Sequence, residues 1–180
     1  MKLIVTVPNK VLIEKAIDVI NIDKEIKQII DRMKTALINS TDPKGVGLAA
    51  PQIGKSVRIF LMRPEETDPI KVFINPKIVS QSKILVKGIP DEDAKLEGCL
   101  SIPKIWGSVN RHKSVTITYL DETGKLYKQT FTGFESVIIQ HEMDHLDGTL
   151  FTKRVIEQKG QLYQPTIDDK GQEVLEPIDI

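Results

Sequence analysis

Thr132-Gly133-Phe134-Glu135-Ser136-Val137-Ile138-Ile139-Gln140-His141-Glu142-Met143-Asp144-His145-Leu146 decides how this chain is built. Thr132 followed three residues later by Glu135 is a capping-box signature, so the spacing predicts a helix over 133–146. Gly148 stands where a helix-ending glycine belongs. Ile138, Ile139 and Leu146 make the helix largely apolar, which sends it to the interior. His141 and His145 are four apart, so both imidazoles lie on one face about a turn apart. Glu142 lies beside them. H-E-x-x-H on a helix can bind one metal ion through its two histidines and use the glutamate as a base toward an activated water. A solvated histidine pair is the plain alternative. It conflicts with the apolar helix, since buried imidazoles need partners.

Outward from that helix the chain reads mostly as strands. Residues 57–62, 71–75 and 83–87 are rich in Val, Ile and Phe. Residues 115–120 and 125–132 alternate around Asp121-Glu122-Thr123-Gly124, a hairpin signal. Upstream, Asp23 caps an amphipathic helix over 24–38, with Ile26, Ile29, Ile30, Met33 and Leu37 at helical spacing. Asn39-Ser40-Thr41-Asp42-Pro43 ends it. Residues 11–22 read as extended or irregular, 45–54 as an apolar glycine-punctuated loop, and 88–95 as a polar loop. The tail beyond Val155 carries Gly160, Pro165, Gly171 and Pro177 and does not read as helix. Leu162–Ile167 and Glu173–Ile178 instead read as a second hairpin, expected to dock on a sheet edge with Leu162, Ile167, Val174 and Ile178 as anchors, the alternative being a mobile tail. Strands grouped apart from one central helix imply an α+β fold, with mixed or antiparallel sheets packed around the H-E-x-x-H helix.

The chain has 180 residues, 25 basic and 25 acidic, net charge zero, and 40% hydrophobic content. That is one ordinary globular domain: 1–154, with 155–180 as an extension of it. Neutrality excludes binding nucleic acid by bulk charge. No apolar run reaches the roughly 18 residues of a membrane helix, and the apolar start is too short for a signal peptide. One cysteine permits no internal disulfide, so the expected compartment is the cytoplasm.

Two histidines do not complete a catalytic metal site, which usually takes three protein ligands. Phe151 stands where a metzincin would have its third histidine. Glu157 is available to a gluzincin-like site, but its segment does not read as a long helix. Cys99 is the other strong donor, in Glu97-Gly98-Cys99-Leu100-Ser101-Ile102-Pro103; a lone cysteine is more often a small buried hydrophobe.

Three stretches together resemble the peptide deformylase family: Gly45-Val46-Gly47-Leu48-Ala49-Ala50-Pro51-Gln52, Glu97-Gly98-Cys99-Leu100-Ser101, and Gln140-His141-Glu142-Met143-Asp144-His145. Their order and spacing match over residues 8 to about 154. The resemblance implies a divalent metal on Cys99, His141 and His145. Ferrous iron is the family's usual ion, and zinc, nickel or cobalt can replace it. It implies hydrolysis of N-formyl-methionyl peptides to formate and a free amine. Glu142 acts as base and then acid, and the Gln52 amide and Leu100 N–H bind the oxyanion. Substrate would lie along Gly47 and Gly98, with its methionine among Val46, Phe134, Val137 and Ile138. Expected partners are nascent chains and the ribosome, and the expected state is a monomer. Asp144 and Glu97 are both candidates for orienting the imidazoles. Arg111 matches an arginine that the family often has, and reads either as a functional residue near the cleft mouth or as a solvated one; Trp106 is placed in packing and His112 on the surface.

Other classes carry their own marks. Ala49 to Ser56 nearly fits a phosphate-binding loop but lacks its first glycine, and Pro51 removes an N–H. A closed structural metal site needs a fourth ligand, for which His112 is the only spare histidine.

Overall fold

The computed structural model describes residues 4–41, 44–87 and 96–179; the loop at 88–95 and Asp42-Pro43 lie outside the described residues. In chain order the elements are α1 (Lys24–Ile38), β1 (Gly47–Ala49), β2 (Ile59–Met62), β3 (Lys71–Gln81), β4 (Leu85–Lys87), β5 (Glu97–Cys99), β6 (Ile102–Gly107), β7 (Asn110–His112), β8 (Ser114–Leu120), β9 (Leu126–Thr132), α2 (Gly133–Leu146), α3 (Phe151–Glu157), β10 (Leu162–Ile167) and β11 (Glu173–Ile178). A five-stranded antiparallel sheet runs β1-β2-β3-β8-β9, and a four-stranded one runs β11-β10-β6-β5. Strands β4 and β7 pair separately.

Ile59-Phe60-Leu61-Met62 shows why the larger sheet sits where it does. Four consecutive apolar residues project alternately to opposite faces. Ile59 and Leu61 pack into one cluster with Ile26, Ile30, Met33 and Leu37 of α1. Phe60 and Met62 join Phe73, Ile117, Ile138, Ile139 and Leu146 on the α2 side. All four β2 residues are fully buried. Full burial of each such side chain is worth roughly 1.5–3 kcal/mol. α1 and α2 thus clamp the sheet from opposite faces. Asp23 caps α1 by accepting from Ile26 N–H at 3.0 Å. α2 closes in a Schellman pattern: Thr149 N–H donates to Asp144 O, and Gly148, at φ +68°, donates to His145 O.

Several elements depart from the sequence reading. The capping box at Thr132 does not form: Thr132 makes no side-chain cap bond, and Glu135 pairs with Lys71 at 3.0 Å. Gly133, at φ +59°, turns the chain sharply at the first residue of the helix. Strand β3 runs to Gln81 rather than ending at 75. A register shift between Ile74 and Lys77 absorbs Asn75, at φ +50°, and Pro76. The Asn75 amide exchanges two 2.8 Å hydrogen bonds with the Val19 backbone, which pins the N-terminal segment. α3 is an additional helix whose last turn, from Val155, falls in the tail read as non-helical; Phe151 and Val155 bury one turn apart on it. In the tail, β10 and β11 pair around the Asp168–Gly171 turn, and β10 joins β6 through Leu162↔Gly107 and Tyr163↔Trp106. Leu162 is buried and Ile178 packs on the same cluster as Phe151 and Val155. Ile167 and Val174, expected as anchors, are exposed, because β6 pairs with only the first two residues of β10.

Candidate active site

Strand β5 ends on Cys99, directly across from the histidine face of α2. Cys99 Sγ lies 3.2 Å from His145 Nε2. The ligand atoms of Cys99, His141 and His145 all fall within 4.8 Å of one another. Cys99 and His145 are buried. Burial alone would raise the Cys99 thiol, but the charge of His145 and hydrogen bonds from both imidazoles bring it down to about 5. Ser101 N–H and the Gln52 amide also donate toward Sγ, at 3.4 and 3.6 Å. A ready thiolate with two imidazoles is a soft nitrogen–sulfur set, and it fits a late divalent ion. His141 Nδ1 is engaged by Glu97 Oε2 at 3.0 Å, which leaves Nε2 as the donor atom.

Behind the donors runs a chain of charges. Arg111 donates to both oxygens of Glu97, at 2.8 and 2.9 Å, and to Asp144 at 2.6 Å. Arg154 from α3 donates to the other Asp144 oxygen, at 2.7 and 3.1 Å. Burial would raise the Glu97 carboxyl; Arg111 beside it outweighs that and holds it at about 2. Of the two carboxylates left open by the sequence, Glu97 orients His141, and Asp144 holds Arg111 one step back. Arg111 is only 5% exposed, so it is not at the cleft mouth. Gln140 holds α2 to the strand that carries Arg111: its side chain accepts from His112 N–H and donates to His112 O, each at 2.9 Å. His112 is accordingly half-buried, with Nδ1 2.6 Å from Ser82 O, rather than a free surface residue. The roles of Arg154 and Gln140 escaped the sequence reading. Their partners lie 10 and 28 positions away, and no local pattern announces either.

Glu142 points back toward β1. A Cβ on Gly47 would collide with Glu142 Oε1 and lie 2.9 Å from Ile138 Cγ2, so glycine here leaves the room that these two side chains occupy. Burial pushes the Glu142 carboxyl up to about 7, with His141 and His145 partly offsetting it. Its Oε2 is buried without a hydrogen-bond partner.

These groups open onto a cavity of about 280 Å³. Val46, Gly47, Gly98, Leu100, Phe134, Val137 and Ile138 line it, together with Gln52, Cys99, His141 and Glu142. β1 and β5, the edge strands of the two sheets, both contribute to its wall. Gln52 Oε1 accepts from Ala49 N–H at 2.8 Å, which turns its amide nitrogen toward Cys99. Val5 and Val7 donate to the Gln52 and Ser101 carbonyls, so one N-terminal segment ties two walls together. Trp106 does more than pack: it lines the cavity, its ring within 2.6 Å of where a Gly98 Cβ would stand. Glu157 is half-exposed and pairs with Arg154 and Lys153. Ala50–Ile53 is a 3-10 turn, not a phosphate loop.

Comparison with known proteins gives one consistent result. The polypeptide deformylase family model matches residues 1–161. Peptide deformylase 2 of Nostoc sp. is 42% identical over 162 residues, covering 84% of each chain. A peptide deformylase of Dehalococcoides mccartyi is 38% identical over 163 residues, 91% of this chain and 90% of its own. Among solved structures, a peptide deformylase from Synechococcus elongatus in complex with actinonin superposes with a TM-score of 0.75 at 36% identity, over 84% of this chain and 76% of that one. The Thermotoga maritima peptide deformylase gives 0.75 at 32% identity, over 86% and 97%.

Proposed function

The chain belongs to the polypeptide deformylase family, and from that premise we propose that it removes the N-formyl group from the methionine of newly made polypeptides, releasing formate. The observation that carries this reading is the convergence of Cys99, His141 and His145 on one buried point beside Glu142. Residues 1–154 are the catalytic unit around α2, and 155–180 an extension of the same domain. Among the described residues no helix is long and apolar enough to cross a membrane. We take the enzyme as cytoplasmic and monomeric, meeting nascent chains at the ribosome without bulk binding of nucleic acid.

Cys99 Sγ and one nitrogen each of His141 and His145 would hold the metal, which we take as ferrous iron in the cell, with zinc, nickel or cobalt able to substitute. When bound, the ion supplies a Lewis acid that polarises the formyl carbonyl and acidifies the attacking water. Glu142 takes the proton of that water, and its raised affinity for protons suits it to hold one. It then delivers the proton to the departing nitrogen, which leaves poorly as an anion. The Gln52 amide and Leu100 N–H stabilise the oxyanion, because preorganised donors cost no reorganisation when charge develops. The substrate backbone lies against the free edge of β1 at Gly47, with Gly98 opposite, as an added strand. Its methionine side chain fills the apolar space among Val46, Phe134, Val137 and Ile138.

Protein purified without oxygen should hold about one divalent ion per chain and hydrolyse formyl-Met-Ala-Ser; stoichiometric metal without formate release rejects the reading. Gln52→Leu should lower kcat on the order of 10²–10³ while metal content stays constant. A rise in KM alone assigns Gln52 to binding instead. A ferrous ion on a thiolate exposes Cys99 to the sulfenic–sulfinic ladder. The iron form should therefore lose activity in air, while the nickel and zinc forms persist. Equal lifetimes count against iron on Cys99. Cys99→Ser should weaken metal binding, since a hydroxyl is a harder and far less acidic donor.

A further inference from the structure

The strand register shows something that the catalytic site leaves unused. Opposed residues in antiparallel ladders project to the same face. Gly98, Trp106, Tyr163 and Pro177 are successive partners across β5, β6, β10 and β11, so they form one row on one face. Further along the hairpin, Pro165↔Leu175 and Ile167↔Glu173 continue that face. The opposite face packs Leu162 and Ile178 against Phe151 and Val155 at its inner end, while Val174 farther out on it is exposed. The first face is open: Ile167 is 68% and Leu175 41% exposed. Its inner end is not a separate surface, because Gly98 and Trp106 also line the catalytic cavity. An aromatic and apolar ledge therefore leads from the active site onto the C-terminal hairpin.

We infer that this ledge is a second substrate-binding surface, taking the part of the formylated polypeptide several residues beyond its methionine; the inference rests on the deformylase reading above. Three strand spacings, about 14 Å, separate Gly98 from Pro177, which an extended peptide covers in about four residues. A chain leaving the cavity past Trp106 meets Tyr163 and then Pro165 and Leu175. Charge selects the occupant. Residues 167–180 hold five acids and one lysine, net −4, and Glu173 stands on the ledge itself. Apolar segments bearing lysine or arginine are favoured, and acidic ones are repelled. The surface thus reads the sequence of the nascent chain beyond the residues that the cavity can enclose.

The test compares formyl-Met-Ala-Ser with two ten-residue substrates that begin with it. One continues in leucine and lysine, the other in leucine and glutamate. Wild-type enzyme should favour the lysine peptide over the tripeptide about tenfold in kcat/KM, mainly through KM, the effect of burying about one apolar side chain. The glutamate peptide should gain nothing. The double variant Ile167→Ser, Leu175→Ser should keep tripeptide turnover unchanged and lose the preference for the lysine peptide. Equal rates on all three substrates overturn the inference. So does a double variant that keeps the preference, or that slows the tripeptide equally. A concentration-dependent dimer abolished by the same substitutions would assign the face to a second copy and also overturn it. If the tripeptide is not hydrolysed, the deformylase reading fails by itself. The ledge is then judged by fluorescence anisotropy of the labelled lysine peptide, and equal binding to wild type and double variant rejects it.

Discussion

Glu142→Ala loses turnover by about 10²–10⁴-fold and keeps its metal. The first half follows from the two proton transfers assigned to one carboxylate. Without it, the attacking water has no base and the leaving nitrogen no acid, and no neighbour replaces both. Glu97, the other carboxylate at the donors, is held by Arg111 and His141 at a proton affinity far too low to serve as an acid. The second half follows from geometry: the converging donors are Cys99, His141 and His145, and Glu142 is not among them. Glu142→Gln separates shape from chemistry. It fills the same space beside Gly47, so a loss as large as that of alanine assigns the effect to the missing proton carrier. Metal analysis and formate release on the same samples decide it. Activity within tenfold of wild type, or metal lost along with activity, defeats the role.

What could be read from the sequence is what local geometry determines. α1 and α2 carry 3.6-residue periodicity or an end signal, and four-residue spacing brings His141 and His145 together within one helix. The hairpin of β8 and β9 announces itself by alternation and by Gly124, at φ +86°. Legibility ends where a structure is set by contacts distant in sequence. The second half of β3 follows Asn75-Pro76, a pair that normally stops a strand, and it persists only because β8 and a bulge accommodate it. α3 has seven residues and no side-chain cap, too short to stand without the Phe151 and Val155 packing that no local pattern reveals. The donors themselves divide along this line. The histidine pair is a local fact, whereas Cys99 reaches His145 from 46 residues away, so its role rested on the match of three motifs. The charges behind them are more remote still, and Arg111 gives no sign in its own surroundings that it is buried.

That burial makes Arg111 the site of the largest expected loss of stability. Among the described residues the Glu97 carboxylate is paired by Arg111 and His141, and Arg111 bridges Glu97 to Asp144 through three charged hydrogen bonds. Arg111→Met removes the cation, while both carboxylates stay buried. Asp144 keeps Arg154; Glu97, 4% exposed, keeps only an imidazole. Breaking a buried ion pair from one side costs about 3–5 kcal/mol. For a chain of this size that is a fall in Tm of roughly 6–20 °C. Metal affinity should fall as well, by about 10–100-fold, because Glu97 no longer fixes the ring orientation of His141. Arg111→Lys tests the cause, since it keeps the charge but not the fork that engages both Glu97 oxygens. It should recover part of the stability and less of the metal affinity, whose basis is geometric. Thermal unfolding of the metal-free and metal-loaded forms separates the two effects. A methionine variant that melts within 2 °C of wild type and binds metal equally well would show that the Glu97–Arg111–Asp144 chain neither stabilises the fold nor positions the ligand.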